Sequence, residues 1–164
     1  MAHDVGTYRS ALMDMLKDQS NATWTTEELD AALRLGLAEL SQRLPHRSSA
    51  DVALPGGGRE VLLESLEGLL WVEEVWWPYE AGSYPPCPAP FEEREGVVYL
   101  RTAAEPSSGD TVHLLYAARH TIDGLEGQTG TTVPEECQGL VIVGAAGYAA
   151  LAKAVAMARE YSWP

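Results

Sequence analysis

The sequence predicts an α+β fold: an N-terminal helical hairpin and a C-terminal small-residue helix packed together, with an inserted antiparallel β sheet or sandwich of about five or six strands. Three observations predict it. Two segments, at Trp24-Thr25-Thr26-Glu27-Glu28 and at Pro134-Glu135-Glu136, carry helix-start chemistry. Between them the apolar period shortens to two and Gly/Pro turns recur. After the second start, alanine and glycine dominate. The expected organisation is residues 1–47 and 132–164 as one helical core, 48–120 as the inserted β region and 121–131 as a linker.

Tyr8, Leu12, Met15 and Leu16 predict a first short helix from near Thr7 to before the polar run at Asp18. In the second helix Thr25 caps the first turn and Glu28 reaches back to the Thr25 amide, a capping box. Trp24 can fold onto the first turn as a hydrophobic staple. Leu29, Leu33, Leu37, Leu40 and Leu44 lay one stripe along this helix, and Pro45 ends it. The two helices are expected to form an antiparallel hairpin with facing leucines, needing a third partner to bury both.

From Ser48 the pattern reads as strands. Val52 and Leu54 lead through Pro55-Gly56-Gly57-Gly58 to Arg59–Leu63, which is expected as the hairpin partner. Leu69–Trp77 is a strand dense in β-branched and aromatic residues. Residues 78–90 hold five prolines and are expected as an extended surface connection. Phe91-Glu92-Glu93 and Val97–Leu100 flank Arg94-Glu95-Gly96 as a second hairpin. Thr111–Ala118 alternates as a last strand with Val112, Leu114 and Tyr116 on one face. Pro134 suits the first helical position, and Glu135 and Glu136 complement the helix dipole. The closing helix, to about Glu160, is rich in alanine and glycine, and each glycine costs it roughly 1 kcal/mol against alanine. Such a helix is expected where another backbone comes close, in the same subunit or the next. Gly144 and Gly147, three residues apart, are expected on its contact face.

The 164 residues can bury a real core, and an apolar fraction of 46% is that of a globular chain. A formal charge of −13 argues against wrapping nucleic acid, which requires Lys and Arg to neutralise phosphates. From Glu60 to Asp110 there are eleven carboxylates against two basic residues, Arg94 and Arg101. This reads as a solvated face, or as a surface that repels DNA or meets a basic partner. Cys87 and Cys137 lack CxxC spacing and read as reduced thiols of an intracellular protein. The N-terminus shows no secretory signal pattern, so the sequon at Asn21 reads as a chance match. Leu140–Ala152 is thirteen uncharged residues, short of the ~20 that span a bilayer, so no membrane partner is expected.

Catalytic chemistry does not emerge. The four histidines are scattered without carboxylate or cysteine partners at metal-ligand spacing, so no metal is expected. No Lys-Ser/Thr follows the Pro55–Gly58 run, which excludes a phosphate loop. The pairs Glu73-Glu74 and Glu92-Glu93 are adjacent, so in a strand they point to opposite faces. No cofactor is expected and the chain does not read as an enzyme. Trp76-Trp77 is the one local oddity: a strand-end pair can stack on a sugar or a base, but the favoured expectation is one ring in the core and the other at a partner surface.

The chain resembles bacteriophage head–tail connector (adaptor) proteins of the neck. The resemblance rests on the helix opening at Trp24–Asp30 and its continuation "LRLGLAELSQRLP" at Leu33–Pro45, and on "GGGREVLLESLEGLLWVEEVWWP" at Gly56–Pro78. It rests also on "GDTVHLLYAARHTI" at Gly109–Ile122 and "TTVPEECQGLVIVGAAGYAALAKA" at Thr131–Ala154. It implies a structural virion protein, assembled in the host cytoplasm. Its homo-oligomeric ring, dodecameric like the portal protein it binds, extends the DNA channel. DNA passes through without specific binding, and a stopper or tail-completion protein docks below. Small adaptors of this kind are mostly helical, so the strand region is a departure. On this resemblance Gly144, Gly147, Arg159, Tyr161 and Trp163 are expected at the subunit or portal interface. Glu92, Glu93 and Glu95 are expected on a solvent-facing acidic channel or tail-side surface, and Trp76 and Trp77 toward a partner. The alternative is a ligand- or carbohydrate-binding β-module with helical flanks, using Trp76, Trp77 and Tyr79.

Overall fold

The computed structural model describes residues 3–20, 22–82 and 85–160. Its elements run α1 (Val5–Leu16), α2 (Thr26–Arg43), β1 (His46–Ala53), β2 (Glu60–Leu62), β3 (Leu69–Trp76), β4 (Phe91–Arg94), β5 (Val97–Leu100), β6 (Thr111–Ala118) and α3 (Gln138–Glu160). Short 3-10 turns stand at Leu125–Gly127 and Glu135–Cys137. The chain divides into two units, a helical one from residues 1–46 and 119–164 and a β unit from 47–118. The fold is α+β, as the sequence predicts, with three helices and two three-stranded sheets.

The helical unit closes around Tyr8, Leu12, Leu29, Leu33, Leu37, Leu40, Val141, Ala145 and Ala149. The capping box forms: Glu28 N–H donates to Thr25 Oγ1 at 3.2 Å, and Thr25 N–H donates to Glu28 Oε2 at 2.8 Å. The first helix begins at Val5, two residues before the expected Thr7, because Asp4 serves as its cap and accepts from Thr7 N–H at 2.9 Å. Leu44 leaves the predicted stripe and is 49% exposed, since α2 ends at Arg43. The main partner of α2 is α3, not α1. The two run antiparallel: Lys153 Nζ donates to Thr23 O at 3.0 Å near one end, and Gly36 abuts Val141 and Ala145 further along.

Among the helix glycines the tightest contact is at Gly36, where an added Cβ would lie 2.8 Å from Val141 O and 3.1 Å from Ala145 N. Gly144 lies across from it, with its Cβ position an ordinary 3.7 Å from Gly36 Cα. Gly147 departs from the expectation: it is exposed and has no atom near its Cβ position. At about 100° per residue, Gly147 stands some 200° around the helix from buried Ala145 and Ala149, so three-residue spacing from Gly144 carries it off the contact.

The stretch 121–131 is also corrected, from linker to part of the core. Ile122 and Leu125 are buried, Asp123 bridges to Asp4 in parallel, and Thr131 Oγ1 donates to His3 O at 2.6 Å.

In the β unit, one sheet has the order β1-β6-β3 and the other β2-β5-β4. Val72, Val75, Val112, Leu114 and Tyr116 of the first meet Val61, Val98 and Leu100 of the second in one core. The expected β1–β2 hairpin does not form; the two strands belong to different sheets. The Pro55–Gly58 run instead docks on the Pro106–Asp110 turn. Gly57 has φ 70, and its Cβ position lies 2.9 Å from Pro106 O and Ser108 N. Gly58 N–H donates to Pro106 O at 2.9 Å, and Ser108 Oγ donates to Pro55 O at 2.6 Å. A chain leaving one sheet for the other needs a left-handed residue packed against backbone there, which only glycine supplies without strain. The β4–β5 hairpin forms as expected, with Arg94 opposite Val97 and positive φ at Glu95 (51) and Gly96 (79), the signature of a two-residue primed turn.

Candidate functional site

Two polar groups hold the helical unit's connections. Asp18 is 6% exposed and its carboxylate accepts from the N–H groups of Ala22 (3.0 Å), Thr23 (2.9 Å) and Trp24 (3.0 Å). Burial pushes its pKa up, but these three donors and the Lys153 ammonium outweigh it and hold the group below its ordinary value. His120 is 4% exposed, with Nε2 2.8 Å from Leu44 O and Nδ1 3.0 Å from Thr132 O. Its backbone N–H donates to Ser41 Oγ at 3.0 Å. Desolvation lowers the His120 pKa, against the opposing pull of those two carbonyls. These are structural clasps, and neither spacing nor composition marked them in advance.

The largest feature of the helical unit is the outward side of α3. Leu140 (64% exposed), Val143 (58%), Leu151 (61%) and Val155 (47%) fall with Gly147 on one face at 3.6 residues per turn. The helix from Glu135 to Arg159 is long and apolar enough to cross a membrane by length and composition, and 22% of its most apolar window is buried. Beside it, Trp24, Leu35, Tyr148, Ala152 and Lys153 line a groove between α2 and α3 of about 180 Å³. Arg159 is exposed near the end of α3, while Tyr161 and Trp163 lie outside the described residues.

In the β unit the expected acidic surface divides. Glu93 pairs across from buried Val98 on β5 but is itself exposed at this edge of the sheet. Its Oε2 accepts from Val72 N–H at 3.2 Å, next to the bulge of β3 between Val72 and Glu74. Glu93 is exposed, as expected, but one of its carboxylate oxygens is spent as a tie to the first sheet. Glu92 points outward but is held by both Arg94 and Arg101. Of the three, Glu95 alone stands clear, at the tip of the turn.

The tryptophan pair also divides. Trp77 packs against the β core, so one ring of the pair is inward as expected, while the partner-facing role expected for Trp77 is corrected. Trp76 turns to the outer face opposite His113, with ring centroids 4.9 Å apart and planes 29° from parallel. Tyr79 lies on the same histidine at 4.6 Å and 23°. Two carboxylates brace the group: Asp51 Oδ1 lies 2.5 Å from His113 Nδ1, and Glu74 Oε2 accepts from Trp76 Nε1–H at 2.9 Å. His113 and Tyr79 were not singled out together by spacing, since β1, β3, β6 and the loop after β3 each supply one part.

Among the described residues no cluster of three His, Cys, Asp or Glu has the proximity to hold a metal ion. Comparison with known protein families and with curated proteins finds no match to this sequence. Fold and surfaces together define an α+β protein with an exposed apolar helix face on one unit and an aromatic, acidic face on the other.

Proposed function

We propose that this chain is a structural head–tail adaptor of a tailed-phage virion. Copies of it form a ring beneath the portal, extend the DNA channel and offer a docking surface to the next neck or tail component. The observation that carries the reading is the outward face of α3. Four large aliphatic side chains about half or more exposed on one helix face are a poor fit to a solitary soluble domain and a good fit to a covered contact. Gly147 at the middle of that face lets a neighbouring helix come close. The acidic balance of the chain supports a channel protein that does not retain DNA. A protein partner suits α3 better than lipid, because Lys153 sits within the apolar stretch, tied to Thr23 O.

The carbohydrate-module reading has less behind it: Trp77 is turned to the core, and Trp76 and Tyr79 each spend a ring face on His113.

Negative-stain imaging and particle mass, with and without portal, test the proposal. Rings on the portal are expected, and Gly147→Leu or Leu151→Glu should abolish them while leaving the circular dichroism unchanged. A monomer that never joins the portal, or partition of the chain into lipid vesicles, would refute it.

A further inference from the structure

We infer that the outer face of the first sheet carries a binding site for an arginine side chain of a partner protein, built from Trp76, Tyr79, Asp51 and Glu74. The inference does not rest on the phage reading; it holds for any protein partner.

The site is a row across three strands: Asp51 on β1, His113 on β6 and Trp76 on β3, with Tyr79 over the histidine. The His113 side chain is only 14% exposed under its neighbours, whereas Trp76 and Tyr79 are half-buried and Asp51 and Glu74 reach solvent. Each carboxylate uses one oxygen to fix a ring, Glu74 through the Trp76 indole N–H and Asp51 through His113 Nδ1. The second oxygen of each makes no hydrogen bond among the described residues. Two oriented aromatic rings with two oriented carboxylates at their edges present a combination that suits one chemistry best. A guanidinium stacks flat on an aromatic ring, is drawn to its negative face, and donates from its edge to carboxylate oxygen. A neutral sugar would find at most one remaining face on each ring and no use for the charge. A phosphate or nucleobase-bearing chain would be repelled.

Charge complementarity extends beyond the row. Residues 47–118 hold twelve carboxylates against four arginines. Three of those arginines are already paired, Arg47 with Glu73 and both Arg94 and Arg101 with Glu92, and Arg59 donates to Ala103 O. The surplus negative charge favours approach of a basic segment, and the row supplies the place where it stops.

The test uses the intact chain, ¹⁵N-labelled, titrated with a tetra-arginine peptide amide and followed at the Trp76 indole N–H. That signal, assigned by its disappearance in Trp76→Phe, should shift saturably. The isosteric double variant Asp51→Asn/Glu74→Gln should weaken binding about tenfold or more, because each amide keeps an acceptor oxygen but both charges are lost. Glu64→Gln/Glu67→Gln removes the same charge from two exposed positions outside the row and should cost less than about twofold, because salt screens distant charges. A tetra-lysine peptide should bind several-fold more weakly. Equal effects from the two double variants, equal binding of lysine and arginine peptides, or an unmoved Trp76 signal would each overturn the inference.

Discussion

The two units handle apolar surface in opposite ways. The β unit places most of its valines and leucines between two sheets, leaves Leu62 and Trp71 singly exposed, and shows carboxylates, arginines and a half-covered aromatic row outside. The helical unit buries one stripe of α3 and leaves the opposite stripe bare. The difference follows from geometry. A strand's period of two divides residues cleanly into inner and outer sets, so a two-layer sandwich buries every inner position. A helix apolar all round, such as α3, exceeds what two neighbours can cover. On the proposed reading the bare stripe is the place where a second molecule adds stability.

Overpacking the helix contact should break the helical unit hardest. Gly36→Leu forces a side chain into a space where even a Cβ would come 2.8 Å from the Val141 carbonyl. The expected cost is about 3 kcal/mol or more, read as a drop in helical signal in urea at midpoints that leave the β unit's tryptophan emission native. If Gly36→Leu unfolds at the wild-type midpoint, the close approach of α2 and α3 is wrong.

Gly57→Ala is the matching challenge to the β unit. It puts a Cβ on a left-handed residue (φ 70) already against Pro106 O and Ser108 N, and should destabilise that unit by about 2 kcal/mol. Gly58 provides the control: it too has positive φ (90) but open space around its Cβ position, so Gly58→Ala should cost only the backbone strain, about 1 kcal/mol.

The clasps of the helical unit should respond to pH in separate windows. The His120 pKa is lowered from 6.5, so the unfolded chain binds this proton more readily than the folded one. Its stability contribution is complete above that value and declines as pH falls below it. The urea midpoint should drop as pH falls through and below 6.5, and His120→Gln should remove that part of the drop. Asp18 is lowered from 3.8, so what it contributes is present above that value and is lost as pH falls through the folded value. Asp18→Asn should thus separate from wild type at neutral pH and converge with it in strong acid. A constant gap across both windows would mean that neither charge state is linked to folding.

The smallest expected effect has the opposite sign. Gly147→Ala meets nothing, and in a helix interior the change should stabilise the isolated chain by up to about 1 kcal/mol in thermal melts. Together with Gly36→Leu it sharpens the contrast, because one helix glycine is demanded by packing within the chain and the other is not.

Much of this was legible in the residues themselves. The Thr25/Glu28 capping box, the leucines at 29, 33, 37 and 40, the alternation of β6 and the Glu95-Gly96 turn all form as the sequence predicts. Each depends on neighbours within a few positions, where period and turn chemistry act directly. What tertiary structure decided is the pairing between distant segments. It put β1 beside β6 and β2 beside β5, gave the close helix contact to Gly36, brought the Glu93 carboxylate to the Val72 amide, and gathered Asp51, Trp76, Tyr79 and His113 on one face. No local pattern specifies those choices, because many strand orders and helix faces satisfy the same alternation. Excluded volume and the requirement that each buried N–H and C=O find a partner select among them only once the whole chain has packed.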